Sequence, residues 1–371
     1  MPNFYLMDDL RSVLVFRLGG IGDVVTATPV LRTLRQNYPD TRIDFMAEQG
    51  PSKLVRESSW VDRVISDTEL YRCQDIFQFL TPRFGGKLYD LYTDINRHEY
   101  DLFIELHRLN RWSLVPKPFL SALASGAPVR AGLRNGMKGF FLSHGIEDRP
   151  SKVKHQVFWF RDILKNLGIP VQRSRPSLEL DDERFRKADR ILDDTFEDNT
   201  SPVVGLFLGA NPIFPEKRWP ITSFVDLSRR ITHEFDCSVL AFSGPREEEL
   251  VDAFRTRTNS NQRIRSLKRN YDIRTVAALI HRLNGFVSAD TGPMHIGVAM
   301  ETPTVGIFGS GEWHWYGSYP ERWSFRAVLP PGAREANSKI PDVPDGQTHE
   351  NSVAEVFNAF SETVTFGQTF H

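Results

Sequence analysis

The chain has 371 residues, 25% of them charged and 40% hydrophobic, with 46 lysines and arginines against 47 aspartates and glutamates. That length suits two domains of ordinary size, and a formal net charge of -1 excludes a protein that coats nucleic acid, which needs a basic excess. Two cysteines, Cys73 and Cys237, exclude a disulfide framework or a four-thiolate zinc site and fit a reducing, cytoplasmic setting.

The opening MPNFYLMDDLR carries two aspartates and no long apolar stretch, so it reads as a short tail and not as a secretory signal. No apolar run in the chain approaches the roughly 18 residues of a membrane span. Strands are predicted at Val13–Phe16, Arg42–Met46, Val61–Ile65, Leu102–Leu106 and Val129–Leu133, with the clearest helix from Val24 to Asn37. In that helix Val25, Pro29, Leu31, Leu34 and Tyr38 keep helical spacing, and Pro39-Asp40 stops it. Strands alternating with helices imply βαβ crossovers and a parallel sheet.

Residues 168–183, GIPVQRSRPSLELDDE, are polar and proline-dotted and read as a hinge. The second half repeats the plan. Strands are predicted at Val203–Leu208, Ser238–Phe242, Gly285–Ser288 and Thr304–Phe308, and helices at Trp219–Phe235, Glu247–Arg257, Arg274–Arg282 and Pro293–Met300. Residues 329–350, rich in Pro, Gly and polar residues, read as a long excursion, and Ser352–Val364 as a final helix. The expected architecture is α/β, with two Rossmann-like, doubly wound domains. They are a first domain over 1–175, a second over 176–350, and a terminal helical segment over 351–371. Ligands bind at the carboxyl ends of such strands.

Four stretches carry the chemistry. RLGGIGDVVTATP, residues 17–29, follows a strand directly. It matches a dinucleotide fingerprint only in part, because Gly20 and Gly22 are not followed by the third glycine, whose place Val25 takes. An acid about twenty residues on exists, Asp44, but it lies inside a predicted strand. Asp23 sits where a phosphate's charge would go. Helix capping alone accounts for an aspartate there. Capping does not account for the glycines before it, which clear space for a neutral ligand beside a carboxylate able to accept a hydroxyl proton.

The second stretch, GLFLGANPIFPEKRWP (205–220), ends a strand at Gly209 and sets Lys217 and Arg218 ahead of a helix, either as a diphosphate site or as a solvated loop. In FSGPREEEL (242–250), acids open a helix on dipole grounds, or Glu247 or Glu249 holds a ribose. VSADTGPMHIGVAMETPTVGIFG (287–309) ends a strand at Asp290 and opens a helix at Thr291 and Gly292, with His295 one turn in. No His, Cys or Asp spacing suggests a transition-metal site, and no cofactor is expected.

Taken together, RLGGIGDVVTATPVLRTLRQNYPDTRIDFM, KRWP, GPREEEL and SADTGPMHIGVAMETPTVGIFG resemble glycosyltransferase family 9, the ADP-heptose:lipopolysaccharide heptosyltransferases and their relatives. The resemblance implies a GT-B fold, two Rossmann-like domains facing across a cleft, and an inverting, metal-independent sugar transfer. The donor implied is a nucleotide sugar, ADP-heptose above all, and the acceptor a glycan or glycolipid such as the lipopolysaccharide inner core. It implies Asp23 as general base, with Gly19, Gly20, Gly22 and Arg17 on the acceptor side. It implies Lys217 on the donor diphosphate, Glu247 or Glu249 on the ribose, and Asp290, Thr291, Gly292 and His295 as the donor signature, with Arg218 and Gly209 beside them. The last helix is expected to cross back onto the first domain. A cytoplasmic enzyme with peripheral membrane contact and no nucleic-acid partner follows. The residues leave open an NAD(P)-dependent oxidoreductase, a non-catalytic nucleotide-sugar-binding protein, and a heptosyltransferase acting on another acceptor. Two departures from the family pattern are Gly19-Gly20 in place of a frequent Ser-Ser, and FGSGEWHWYGSYP (308–320) in place of a Pro-Thr-Asp-Pro loop.

Overall fold

Apolar runs of four or five residues, closed by glycine or a charge, make strands buried on both faces. The computed structural model describes residues 9–66, 82–148, 154–196, 201–210, 217–267, 271–309, 313–320, 323–330 and 351–364. It divides into two units, one of Met1–Lys152 with Gln156–Glu179 and the other of Val153–His155 with Leu180–His371.

The first unit holds six parallel strands: β1 (Ser12–Phe16), β2 (Arg42–Met46), β3 (Arg63–Ile65), β4 (Leu102–Glu105), β5 (Val129–Arg134) and β6 (His144–Glu147). They lie in the order β3-β2-β1-β4-β5-β6. Because β1 pairs with both β2 and β4, the chain winds outward first to one side and then to the other. The crevice where the winding reverses opens at the carboxyl ends of β1 and β4, and ligands bind at such a point. Among the described residues the helices of eight residues or more in this unit are α1 (Ile21–Asn37), α2 (Pro82–Asn96), α3 (Pro116–Ala124) and α4 (Gln156–Asn166). Helix α1 runs through Pro29, which lacks the N–H that would reach the Val25 carbonyl. Thr28 Oγ1 donates to that carbonyl instead, at 2.7 Å. Arg32 of α1 ties down the linker, donating to Ser177 Oγ and to the carbonyls of Arg173 and Arg175.

The second unit repeats the order with β7 (Val203–Phe207), β8 (Ser238–Phe242), β9 (Ile264–Ser266), β10 (Gly285–Ala289), β11 (Thr304–Ile307) and β12 (Phe325–Val328). The sheet reads β12-β11-β10-β7-β8-β9, so its reversal lies between β7 and β10. Among the described residues its helices of eight residues or more are α5 (Asp182–Thr195), α6 (Ile221–Glu234), α7 (Glu248–Thr258), α8 (Ile273–Arg282), α9 (Gly292–Ala299) and α10 (Val353–Thr363). A capping box of Ser352 and Glu355 opens α10.

Helix α10 is part of the second unit's own core. Val356, Phe357, Phe360 and Val364 belong to the second unit's core with Phe224, Ile231 and Val305. Phe357 stacks on Phe235 at 5.7 Å. A Cβ on Gly285 would meet Phe360 and Val364 at 2.8 Å, so that glycine is the notch into which the helix seats. Strands β6, β9 and β12 were not read from the sequence. The predicted excursion over 329–350 lies, from 331 on, outside the described residues.

Candidate active site

At the end of β1 the backbone turns through Gly19, whose φ of +149° is a conformation only glycine adopts without strain. Gly20 then acts as the N-cap of α1, and Asp23 reaches back from the first turn. Its Oδ2 accepts from the Gly20 N–H at 2.8 Å, and its Oδ1 from Arg17 Nη2 at 2.5 Å. A Cβ on Gly19 would lie 2.3 Å from Oδ2. The missing side chain of Gly19 therefore makes room for the carboxylate itself, where the sequence had suggested room for a ligand.

Arg17 is turned inward and buried. Beside Asp23 it bonds Gln156 Oε1 at 2.7 Å and the Leu106 carbonyl, and its guanidinium lies over the Phe160 ring. Its role here is to hold the Asp23 carboxylate in place. The Asp23 side chain remains 26% exposed, and each of its oxygens keeps a second lone pair for an incoming hydroxyl. Gly22 lies in the same first turn and accepts from Thr26 Oγ1 through its carbonyl.

A second support under this turn escaped sequence reading. Glu105, fully buried at the end of β4, accepts from the backbone N–H of His107 and meets its ring at Nδ1, 2.6 Å away. The Nε2 of that ring bonds the Leu18 carbonyl at 2.6 Å. The end of β4 thereby pins the residue that starts the glycine turn. A ring nitrogen and a backbone carbonyl 89 residues apart in sequence make this contact, and no local pattern announces it.

Asp44 tests the dinucleotide reading. It is fully buried in β2 and accepts from the Tyr100 hydroxyl at 2.5 Å. Burial, then the Asp44 hydrogen bond and charge, raise the Tyr100 hydroxyl far above its ordinary pKa, so it stays a donor. An acid used in this way is not placed to hold a ribose.

In the second unit the adjacent cations divide their work. Lys217 Nζ pairs with Asp290 Oδ2 at 2.7 Å at the end of β10, and Arg218 pairs with Glu247 Oε1 at 2.8 Å beyond β8. Glu247 is buried and also accepts from the N–H groups of Ala210 and Gly244, at 3.0 and 3.2 Å. Gly209 has no side chain because a Cβ there would lie 2.0 Å from Glu247 Oε2. Glu247 thus ties together the turns after β7 and β8, whereas Glu249 is exposed on α7 and does not join the cluster. Of the two acids proposed for a ribose, only Glu247 lies at the strand ends.

Thr291 is the N-cap of α9, with its hydroxyl 3.1 Å from Ser288 Oγ, and Gly292-Pro293 form the first turn. His295, one turn in and buried, places Nδ1 2.9 Å from the Tyr319 hydroxyl. Burial first, and the charge of Asp290 second, hold the Tyr319 pKa well above the usual 10. The Tyr319 hydroxyl therefore stays protonated beside His295 Nδ1. His155 stacks on Tyr319 with ring centroids 3.8 Å apart, and its Nε2 donates to the Tyr316 carbonyl at 2.9 Å. Burial, then the neighbouring His295, push the His155 pKa well below 6.5 and keep it neutral. Neither His155 nor Tyr319 was singled out from sequence. Among the described residues no three His, Cys, Asp or Glu side chains cluster as a metal site would need.

Two parallel six-stranded α/β units, each with polar side chains gathered at its reversal point, have the GT-B architecture. The model of "Glycosyltransferase family 9 (heptosyltransferase)" matches residues 89–325, and the chain belongs to that family. It is 19% identical over 299 residues to a lipopolysaccharide core heptosyltransferase of Haemophilus influenzae, covering 80% of this chain and 79% of that one. Among solved structures, a family 9 glycosyl transferase from Veillonella parvula superposes with a TM-score of 0.76 at 21% identity, covering 95% and 97% of the two chains. The ADP-heptose lps heptosyltransferase II of Escherichia coli does so with 0.69 at 19% identity, covering 95% and 98%. Among the described residues no helix is long and apolar enough to cross a membrane.

Proposed function

We propose that this protein transfers a sugar from a nucleotide sugar to a glycan hydroxyl with inversion and without a metal ion, that the donor is ADP-heptose, and that the acceptor is a lipopolysaccharide inner core. Similarity to heptosyltransferases, one of them named for ADP-heptose, supports the donor and acceptor classes. The observation that carries the mechanism is the Asp23 carboxylate, fixed by Arg17 and the Gly20 N–H yet partly open to solvent.

In this reading the acceptor O–H gives its proton to Asp23 as its oxygen bonds the anomeric carbon. The bond from that carbon to the diphosphate breaks in the same displacement, and its electron pair leaves on the nucleotide. Lys217, steered by Asp290, and the amides opening α9 at Thr291 and Gly292 stabilise the departing charge. The Asp290 pair fixes the Lys217 ammonium at the end of β10. His295 and Tyr319 shape the floor beside Asp290, and Glu247 with Arg218 and Gly209 shapes the nucleotide side. The enzyme works at the cytoplasmic face of a membrane, in peripheral contact with it.

A screen of nucleotide sugars with a glycan acceptor, read by mass spectrometry, tests the donor, and ADP-heptose is expected to be consumed. Asp23→Asn is expected to lower transfer about 10²–10⁴-fold, the usual worth of a general base, with ADP affinity by calorimetry unchanged. Near-normal turnover of that variant would remove Asp23 from the chemistry.

A further inference from the structure

One surface of the first unit takes no part in the chemistry above. It is built by the turns Trp112–Leu114 and Gly136–Gly139 and by α3. Trp112 is 60% exposed, Met137 73% and Phe140 54%, and Leu114 and Leu123 are exposed as well. These side chains are neighbours. Lys138 Nζ stands 5.9 Å over the Trp112 ring, and the Phe119 and Phe140 rings lie 5.0 Å apart. Leu123 follows Phe119 by one turn on the same helix face. Phe119 also meets Phe141, a member of the unit's core, so the patch is rooted and not a loose loop. Single exposed apolar residues need no partner, whereas a contiguous patch of large ones marks an interaction site.

The charge around the patch narrows the partner. Between Glu105 and Glu147 the sequence carries no acid but six cations, Arg108, Arg111, Lys117, Arg130, Arg134 and Lys138, in a chain whose acids and bases balance only as a whole. Arg108 is paired with Asp148, and Arg134 donates to the Leu142 carbonyl. Arg111, Lys117 and Lys138 stand on the same short elements as Trp112, Phe119 and Met137. Aromatic, thioether and leucine tips set among cations are the chemistry that enters the headgroup layer of an anionic bilayer. A second copy of the chain would bring like charge against this face. Nucleic acid would find the cations but leave Leu114, Leu123 and Met137 exposed.

We propose that Trp112, Leu123, Met137 and Phe140, rimmed by Arg111, Lys117 and Lys138, seat the first unit on a membrane surface that carries anionic headgroups. The proposal gives a place to the membrane contact of the reading above and does not depend on which sugar is transferred. Flotation of the full chain with vesicles of phosphatidylglycerol and phosphatidylethanolamine, free of glycolipid, tests it against vesicles of phosphatidylcholine. The protein is expected to float with the anionic vesicles, to release at high salt, and to stay in solution with phosphatidylcholine. The triple variant Trp112→Ser, Met137→Ser, Phe140→Ser is expected to lose at least tenfold in partitioning. Lys138→Glu alone is also expected to lose at least tenfold, because each charge near such a surface is worth roughly fivefold and the variant reverses one. Circular dichroism and ADP affinity, measured on the same variants, separate lost membrane binding from misfolding and from failure of the donor reading. Absence of flotation on anionic vesicles, or equal flotation of the triple variant, would overturn the proposal. So would a concentration-dependent dimer that the triple variant abolishes, since it would give the face to a second copy.

Discussion

Gly19 and Gly20 stand side by side and tolerate different things. At Gly19 the backbone φ is +149° and a Cβ would press within 2.3 Å of Asp23 Oδ2. At Gly20 φ is -76°, and the nearest Asp23 oxygen would be 3.9 Å from a Cβ, an ordinary contact. Gly19→Ala is therefore expected to cost about 1–3 kcal/mol of stability through backbone strain, and to cut turnover by displacing the carboxylate. Gly20→Ala is expected to fold and turn over nearly as the parent does. Urea denaturation and initial rates on the two variants check the contrast, and similar losses at both positions would refute it. The frequent serine pair of the family thus meets its obstacle here at the first position only. Glu247 and Glu249 show why such detail was hidden in the sequence. Three consecutive glutamates look alike as letters, but Glu247 stands just before the helix, where its side chain reaches Ala210, Gly244 and Arg218, and Glu249 is already on the exposed face.

At the scale of elements, the strands that sequence periodicity missed share one property. β6, β9 and β12 are all sheet edges, three or four residues long, with the mixed compositions HGIE, IRS and FRAV. An edge strand has one neighbour and partial solvent contact, so nothing forces an apolar run upon it. The central strands, buried on both faces, were legible to within a residue or two. The crossover at His155 was illegible for another reason, because its partners lie some 160 residues downstream in sequence. His155 belongs with the second unit, and the next residue, Gln156, bonds Arg17 of the first. A neutral buried His155 has a consequence for stability. Above pH 6.5 the imidazole is neutral whether folded or not, and the stack on Tyr319 carries no proton penalty. Below 6.5 the unfolded chain takes up a proton that the folded site refuses, so stability falls with acidification until the lowered folded pKa is reached. The loss is expected to approach about 1.4 kcal/mol per pH unit. His155→Gln is expected to flatten that dependence by about one proton between pH 6.5 and 5. Urea midpoints of the two proteins across that range measure it, and parallel curves would show that His155 is not the group responsible.

For the whole molecule, one topology serves twice. Both sheets read outward from a central pair, and in both the polar side chains gather where the winding reverses. Sequence pattern conveyed the doubling, since apolar runs punctuated by glycine recur in each half, but it did not convey that Arg17, the first charge after β1, is internal. The units differ in the sign of what they present. The first offers a carboxylate held from behind by a buried cation. The second offers a lysine held from behind by the nearly buried Asp290, at the start of a helix. A diphosphate is repelled by the first arrangement and attracted by the second, so nucleotide binding should stabilise one unit and not the other. With ADP at about a hundred times its dissociation constant, linkage adds about 2.7 kcal/mol to the unit that binds it. That is roughly a hundredfold slowing of exchange for amides that open only when the unit unfolds. Hydrogen exchange is therefore expected to show strong ADP protection across β7 and β10 and around residues 289–295, with β1, β4 and residues 17–23 little changed. Protection centred on residues 17–23 would reverse the assignment, because the carboxylate of Asp23 and the phosphates of a nucleotide cannot favourably share one helix start.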